Sequence, residues 1–320
     1  MPRFKDFMPS GVIPATLLAF HSDYSIDELA TREHLKHVSN VKGIAGITIN
    51  GHASEVHACS SEEQKRILDL TLEEVGDKIP IINGVWADGS HEAARIAKWS
   101  EAAGASCLLV FPPQPIMLMQ GQINPEMGLT HFKIIAEATN LPIIAFQYPA
   151  EQAYQLHTLL RMIDEIPNLV AIKDWNSGQI HERHIRELQN CSRPFNVLTT
   201  NSAWLMSSLA MGANGLLSGS GSIIADLQVA LFESIQQGDL KGAQKINDRI
   251  YPTAQCFYGP PATDMHNRMK EALVMLGRMP SPVVRPPLVK LSDKEREGVR
   301  MAIKKARLSY EGADNLKRVA

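Results

Sequence analysis

The sequence has few cysteines and no long apolar run. Its cysteines are far apart and form no CxxC pair: Cys59, Cys107, Cys191 and Cys256. This spacing argues against a disulfide framework or a zinc site and is typical of reduced thiols. No apolar run approaches the length that crosses a membrane, and the first residues, "MPRFKDFMPSG", are too polar for a signal peptide. We therefore expect a cytoplasmic protein without a membrane partner.

The sequence also lacks an excess of positive charge. It has 32 lysines and arginines against 34 aspartates and glutamates, which gives a formal net charge of −2 at pH 7. A nucleic-acid-binding protein usually carries a basic surface that meets the phosphates. The charge balance therefore argues against a nucleic-acid partner.

What the sequence does contain is one unit repeated many times: a short apolar run, a loop and a longer amphipathic stretch. Eight apolar runs are candidate strands, at residues 11–18, 44–49, 79–84, 106–111, 141–146, 169–172, 195–199 and 214–218. The stretches between them have helical periodicity, such as "SEEQKRILDLTLEEV" and "HEAARIAKWSEAAG", the second closed by Gly104. Eight strands that alternate with helices predict an α/β fold, a (β/α)₈ TIM barrel. The alternative, a doubly wound open sheet, lacks a glycine-rich fingerprint after its first strand.

The chain continues well past the predicted barrel, to which we assign residues 1–238. "DLKGAQKINDRIYPTAQ", "MHNRMKEALVMLG" and "SDKEREGVRMAIKKARL" predict further helices, and the prolines of "RMPSPVVRPPLVK" separate the last two. The apolar faces of these helices need to be covered. We therefore predict that residues 239–320 form a C-terminal helical extension packed on the barrel or on a neighbouring subunit.

The stretch "VAIKDWN" puts Lys173 directly after the sixth apolar run, at the end of the barrel where chemistry is found. Removing an ammonium group from water is costly unless the group is paired or its pKa falls. Lys173 is therefore either a structural lysine, at the surface or paired with Asp174 or Glu55, or a nucleophile. A desolvated amine can attack a carbonyl to form a Schiff base, whose iminium accepts electrons without a metal or cofactor.

Several motifs resemble the dihydrodipicolinate synthase and N-acetylneuraminate lyase family in order and spacing. They are "GVIPATLLAF", "GHASEVHACSSEEQKRIL", "PIINGV", "AGASCLLVFPP", "LPIIAFQYP", "VAIKDWNSG" and "MGANGLLSGSGS", followed by a C-terminal stretch that contains "RPPL". The resemblance implies a (β/α)₈ barrel with a helical extension, a homotetramer and no cofactor. It also implies that Lys173 matches the lysine that forms a Schiff base with a 2-keto acid.

The sequence departs from the family pattern after the second strand. Where the family commonly has two hydroxyl residues that hold the substrate carboxylate, this chain has His52 and Ala53, followed by Ser54 and Glu55. We expect all four near the substrate, with His52 either a proton carrier or a loop histidine without such a role.

A second departure lies at the fifth strand. The tyrosine that commonly passes protons beside the lysine is replaced by Phe146, followed by Gln147 and Tyr148. Tyr148 points to the same side as Phe146 by strand alternation and could substitute for the missing hydroxyl. Neither the synthase's arginine after this strand nor its tyrosine after the fourth has a counterpart, in "PAEQAYQL" and "FPPQPIML".

We therefore predict a Schiff-base lyase, a dehydratase or aldolase, that acts on a 2-keto acid such as a 2-keto-3-deoxy sugar acid. Lys173, His52 and Tyr148 are the predicted catalytic residues, and the predicted substrate-binding residues are Ala53, Ser54, Glu55, Phe146, Gln147, Thr200 and Ser218. Because Phe146 lacks a hydroxyl, dehydration should be faster than aldol cleavage.

Several alternatives remain open. The protein could be a 4-hydroxy-tetrahydrodipicolinate synthase, which condenses pyruvate with aspartate semialdehyde, or a barrel that binds a keto acid without turning it over. "SGSGS" at residues 218–222 could bind phosphate, and His52, Glu55 and His57 could form a metal site, although their spacing matches no standard ligand set.

Overall fold

The computed structural model describes residues 2–309 and contains the predicted barrel. Its eight strands are β1 Gly11–Pro14, β2 Ile47–Ile49, β3 Ile81–Val85, β4 Cys107–Val110, β5 Ile143–Gln147, β6 Leu169–Asp174, β7 Asn196–Thr199 and β8 Gly215–Ser218. Each strand from β2 to β8 pairs in parallel with the next, and β8 pairs with β1. Single parallel bridges, Val12 to Ile44 and Ala15 to Thr48, join β1 to the β2 region and close the barrel.

Helices alternate with these strands and surround them. They are α1 Glu28–Ser39, α2 Ser61–Val75, α3 Ser90–Ala103, α4 Gln114–Met117, α5 Pro125–Glu137, α6 Leu156–Glu165, α7 Gly178–Leu188, α8 Leu205–Ala210 and α9 Gly221–Gln236. Specific residues cap the ends of the helices. Ser60 and Glu63 form a capping box at the start of α2. Gly104 ends α3 in the left-handed region, with φ of 113°, which favours glycine.

The C-terminal extension is helical, as predicted, and packs on the barrel of the same chain. Its helices are α10 Leu240–Phe257, α11 Met265–Met275 and α12 Asp293–Lys305, and residues 278–290 between the last two contain no helix. Met269 and Leu273 of α11 belong to the same apolar cluster as Leu216 and Leu217 of β8. The predicted extension runs to residue 320, and its last part, 310–320, lies outside the described residues. No helix within residues 2–309 combines the length and apolarity needed to span a bilayer.

Strand alternation divides the core into an inner and an outer part. On β5 and β6, Ile144, Phe146 and Ala171 belong to the apolar cluster inside the barrel, whereas Ala145 and Ile172 pack in the cluster beneath the surrounding helices. Because the period of a strand is two residues, the residue after Ile172 faces inward and the next faces outward. This alternation decides the surroundings of Lys173 and Asp174.

Candidate active site

Lys173 lies within β6, since the strand is longer than the apolar run and ends at Asp174. It is paired in register with Phe146 of β5 and Leu198 of β7, and only 5% of the residue is exposed. Its Nζ lies 4.9 Å from the centre of the Phe146 ring, and no carboxylate within residues 2–309 forms an ion pair with it. Burial lowers the pKa of Lys173 to about 7. A substantial fraction of this amine is therefore neutral at physiological pH, as nucleophilic attack requires.

The two carboxylates considered as partners of Lys173 are both bound elsewhere. Asp174 faces the outer side of the barrel, where Nδ1 of His181 and Nδ1 of His184 each lie 2.7 Å from its Oδ2. Glu55 Oε1 lies 2.5 Å from Nζ of Lys270, and both of these side chains are fully buried. The alternative in which Lys173 is a structural lysine paired with Asp174 or Glu55 is therefore not found in the described part of the chain.

Asp174 is the centre of a buried polar network behind the strand. Gln147 Nε2 donates to its Oδ1 at 2.8 Å, and Asn176 donates to the same oxygen through its side chain at 2.8 Å and its backbone at 3.0 Å. Burial alone would raise the pKa of Asp174, but the hydrogen bonds from His181 and His184 together hold it below its usual range. Gln147, predicted to bind substrate, lies on this outer face with its amide committed to Asp174.

His52 and Tyr148, two of the predicted catalytic residues, contact each other. The Tyr148 hydroxyl lies 2.5 Å from Nε2 of His52. Burial lowers the pKa of His52 well below its ordinary value, and the charge of Lys173 lowers it further. Burial raises the pKa of Tyr148. The phenol therefore donates to a neutral imidazole, which stacks edge-on against Phe111 and Phe146, with ring centres 4.8 and 5.6 Å away.

A pocket of about 440 Å³, its open mouth included, surrounds Lys173 at the carboxyl end of the strands. Its lining consists of Ala15, His52, Ala53, Phe146, Lys173, Trp175, Thr200, Gly219, Tyr258, Met265, His266 and Met269. The predicted residues His52, Ala53, Phe146, Lys173 and Thr200 are thus brought together in one cavity. This cavity is the candidate active site.

The remaining predicted residues lie next to the pocket but do not line it. The Ser54 hydroxyl donates to the backbone oxygen of Thr16 at 2.8 Å. Ser218 Oγ lies 2.9 Å from Ser202 Oγ and 3.0 Å from Ser220 Oγ in a cluster of buried hydroxyls. Glu55 is held by Lys270. These polar atoms are already bound to protein groups, which argues for structural roles.

Sequence reasoning missed the side of the pocket that the C-terminal extension builds. Tyr258 follows α10, and α11 contributes Met265, His266 and Met269. Nothing in their local sequence marks them, because the fold brings them to the barrel from far along the chain. Trp175 lies two residues after Lys173. Its position just beyond the sixth strand was a local signal that could have placed it in the pocket.

The proposed phosphate and metal sites find little support in the geometry. In "SGSGS", the Ser220 N–H donates to the Tyr258 hydroxyl and Ser222 Oγ donates to the backbone oxygen of Ala15. The Ser220 N–H and the Ser222 hydroxyl thus already have partners within the protein. Within residues 2–309 no three acidic, histidine or cysteine side chains are arranged to hold a metal ion, and the ion pair of Glu55 with Lys270 occupies one of the three considered ligands.

Comparison with known proteins agrees with this architecture. The model of the dihydrodipicolinate synthetase family matches residues 8–306. A 4-hydroxy-tetrahydrodipicolinate synthase from Neisseria meningitidis serogroup B is 30% identical over 303 residues, which cover 93% of this chain and 98% of the relative. A protein of the same name from Bartonella bacilliformis is 27% identical, covering 95% of this chain and all of the relative.

Solved structures give the same fold. YagE, a prophage protein of the dihydrodipicolinic acid synthase family from E. coli K12 solved in complex with pyruvate, superposes with a TM-score of 0.86 at 22% identity, covering 93% of this chain and 99% of that one. Since the family model spans nearly the whole chain, the protein belongs to the dihydrodipicolinate synthetase family.

Proposed function

We propose that this protein is a Schiff-base-forming lyase that acts on a 2-keto acid, with Lys173 as the nucleophile. The observation that carries the proposal is that Lys173 lines the pocket, is buried and has no carboxylate partner within residues 2–309. A buried charged amine without a partner destabilises the fold, whereas a neutral amine that lines a pocket is a competent nucleophile. The burial that brings the pKa of Lys173 to about 7 supports the second role.

The chemistry follows from the amine. The neutral Lys173 nitrogen adds to the C2 carbonyl of the keto acid, and one water leaves to give an iminium ion. In a 4-hydroxy-2-keto acid, loss of the C4 hydroxyl proton and cleavage of the C3–C4 bond yield an aldehyde and an enamine. Protonation of the enamine at C3 and addition of one water then release pyruvate and restore the lysine.

The same iminium can react in a second way, by elimination. Loss of a C3 proton and expulsion of the C4 hydroxyl give an unsaturated iminium, which one water hydrolyses to the unsaturated keto acid and free Lys173. This elimination needs no base that removes the proton of the C4 hydroxyl. Because the position that matches the family tyrosine is Phe146, faster dehydration stays our prediction, and NMR analysis of the products tests it.

Two groups near Lys173 are suited to the other tasks. The N–H groups of His52 and Ala53 begin a short 3-10 turn over His52–Ser54 and have no acceptor within it, so they are available to a substrate carboxylate. The hydrogen-bonded His52 and Tyr148 form a candidate proton relay, since the neutral imidazole is a base and the phenol is an acid.

A second candidate activity is that of the named relatives, 4-hydroxy-tetrahydrodipicolinate synthase. The similarity over nearly the whole chain favours it. The pocket lining weighs against it, because no arginine is present there to meet the second carboxylate of that reaction.

The third alternative is a protein that binds a keto acid without turning it over. Binding alone does not require an unpaired buried amine, which lowers the stability of the fold. The homotetramer implied by the resemblance stays a prediction.

Borohydride reduction in the presence of pyruvate tests the proposed function. We expect one reduced pyruvate adduct per chain, found by peptide mass spectrometry on Lys173, and none on Lys270, the buried lysine that is ion-paired. The Lys173→Met variant should remain unlabelled and lose turnover while keeping its circular-dichroism spectrum. A label on another lysine, or no label with pyruvate or longer 2-keto acids, would contradict the assignment.

A further inference from the structure

The pocket lining contains no permanently charged side chain other than Lys173. Among its lining residues Lys173 is the only lysine, arginine, aspartate or glutamate, and the mechanism uses it for the Schiff base. A second ionised group on the substrate would lose its hydration without gaining a partner, which costs several kcal/mol. The lining therefore favours a substrate whose remaining part is uncharged.

The polar groups in the lining are largely committed to the protein itself. His266 lies between two backbone oxygens, with Nδ1 2.9 Å from Thr263 O and Nε2 2.5 Å from His52 O. A neutral imidazole has one N–H and donates to only one of these two oxygens, so the ring is held between backbone groups of the protein. The imidazole of His52 uses its Nε2 for the contact with Tyr148.

The Tyr258 hydroxyl is similarly occupied. It accepts a hydrogen bond from the Ser220 N–H at 3.1 Å and lies 3.3 Å from Ser218 Oγ. Apart from Lys173, the Thr200 hydroxyl and Nδ1 of His52 are the main polar side-chain groups left in the lining. A polyhydroxylated substituent would bury several hydroxyls without partners, at about 1–3 kcal/mol for each one.

What the pocket does offer is apolar surface. Phe146 and Trp175 line it on the barrel side, with ring centres 6.3 Å apart, and Met265 and Met269 line it from α11. The Trp175 ring also lies 6.0 Å from that of Tyr148. Aromatic and thioether side chains of this kind favour ring contacts, edge-on or offset, over contacts with hydroxyl groups.

We propose that the substrate is a 2-keto acid whose substituent at C4 is uncharged and apolar, an aromatic ring in the best-fitting case. This proposal rests on the proposed lyase function and narrows its substrate. It disfavours both a sugar acid and a substrate with a second carboxylate. Trp175 becomes the residue that determines specificity, since it lies next to the strand that carries Lys173.

A pair of substrates tests the proposal directly. 4-Hydroxy-2-oxo-4-phenylbutanoate carries a phenyl ring at C4, whereas a 2-keto-3-deoxyhexonate carries a hydroxylated chain there. Total consumption of each, by cleavage or dehydration, is measured by NMR. We expect kcat/KM at least about tenfold higher for the phenyl compound, the ratio that corresponds to one favourable ring contact. An equal or higher value for the hexonate would overturn the proposal.

Substitution of Trp175 tests the assigned contact. We expect Trp175→Ala to raise KM for the phenyl substrate about tenfold, with a smaller change in kcat, and Trp175→Phe to restore most of the loss. A merely structural role would change KM for both substrates alike and would contradict the assignment.

A binding measurement separates this proposal from the proposed function. The Lys173→Met protein cannot form an imine, and calorimetry compares its affinity for 4-phenylbutanoate and for gluconate. We expect Kd for phenylbutanoate to be at least about tenfold lower. That result supports an apolar substituent even if pyruvate fails to label Lys173. Equal affinities overturn it even if the labelling succeeds.

Discussion

Within residues 2–309, two lysines are buried, and their surroundings are opposite. Lys270 Nζ lies 2.5 Å from the Glu55 carboxylate, donates to the backbone oxygen of Val283 at 2.7 Å and lies 4.2 Å from the centre of the Phe20 ring. Lys173 has the Phe146 ring beside it but no carboxylate partner within residues 2–309. Burial lowers the pKa of both amines, but at Lys270 the Glu55 charge opposes that effect. A paired lysine holds elements together, whereas an unpaired one is available for chemistry.

The paired lysine fastens the C-terminal extension to the loop after β2. Glu55 adopts a left-handed backbone conformation, with φ of 54°, and its second carboxylate oxygen accepts from the Arg285 N–H at 2.9 Å. His52 and Ala53 of the pocket precede it in the same loop. The Lys270 site thus positions one wall of the candidate active site, although Lys270 does not line the pocket.

The largest expected difference between the two lysines is in stability. Lys270→Met leaves the Glu55 carboxylate buried without its partner, and we expect it to lower the free energy of unfolding by about 3–5 kcal/mol. Lys173→Met removes an unpaired amine, and we expect an unchanged or increased free energy of unfolding. Urea denaturation followed by circular dichroism measures both, with Lys98→Met as the exposed control.

A double variant sharpens this prediction. Glu55→Gln combined with Lys270→Met removes both charges, so it should recover part of the stability that Lys270→Met loses. If Lys270→Met and Lys173→Met destabilise the protein equally, pairing does not distinguish the two lysines, and the comparison fails.

A smaller effect is expected at Asp174, whose position in the chain is next to Lys173. Asp174→Asn replaces one acceptor oxygen by a donor, so histidine or amide donors from α7 and β5 lose their partner. We expect a loss of about 2–3 kcal/mol in the free energy of unfolding, against little change for the exposed control Asp69→Asn. A loss of pyruvate labelling without any loss of stability would instead assign Asp174 to the chemistry.

The smallest expected effect is a pH dependence caused by Lys173. Its pKa is about 7 in the folded protein and near the ordinary 10.5 in the unfolded chain. Between these values the unfolded state binds more protons, so stability rises with pH by about 1.4 kcal/mol per unit from this group. Urea unfolding of the wild type and of Lys173→Met at pH 8 and pH 9 should show this extra slope in the wild type alone. If the free energy of unfolding changes equally with pH in the wild type and in Lys173→Met, the amine is not desolvated.

The barrel and the position of Lys173 in the pocket could be predicted because their signals are local. Apolar runs separated by helical periodicity mark eight strands, and each observed strand overlaps its predicted run, although β6 extends two residues further, through Lys173 and Asp174. The motif around Lys173 needed only its own neighbours and its position at a strand end. The C-terminal helices were likewise evident, since prolines separate their periodic stretches.

The sequence by itself determined the fold class and the family resemblance, and it identified Lys173 as the candidate nucleophile. Only the tertiary structure decided which lysine is paired, because Glu55 and Lys270 lie far apart in the chain and no local pattern links them. The tertiary structure also decided that Gln147 and Asp174 face the outer side of the barrel. The alternation of a strand fixes which residues share a face, but not which of the two faces points inward. The Tyr258, Met265 and Met269 wall was decided in the same way. Pocket polarity depends on which hydrogen bonds are satisfied inside the protein, and only the packed structure determines that.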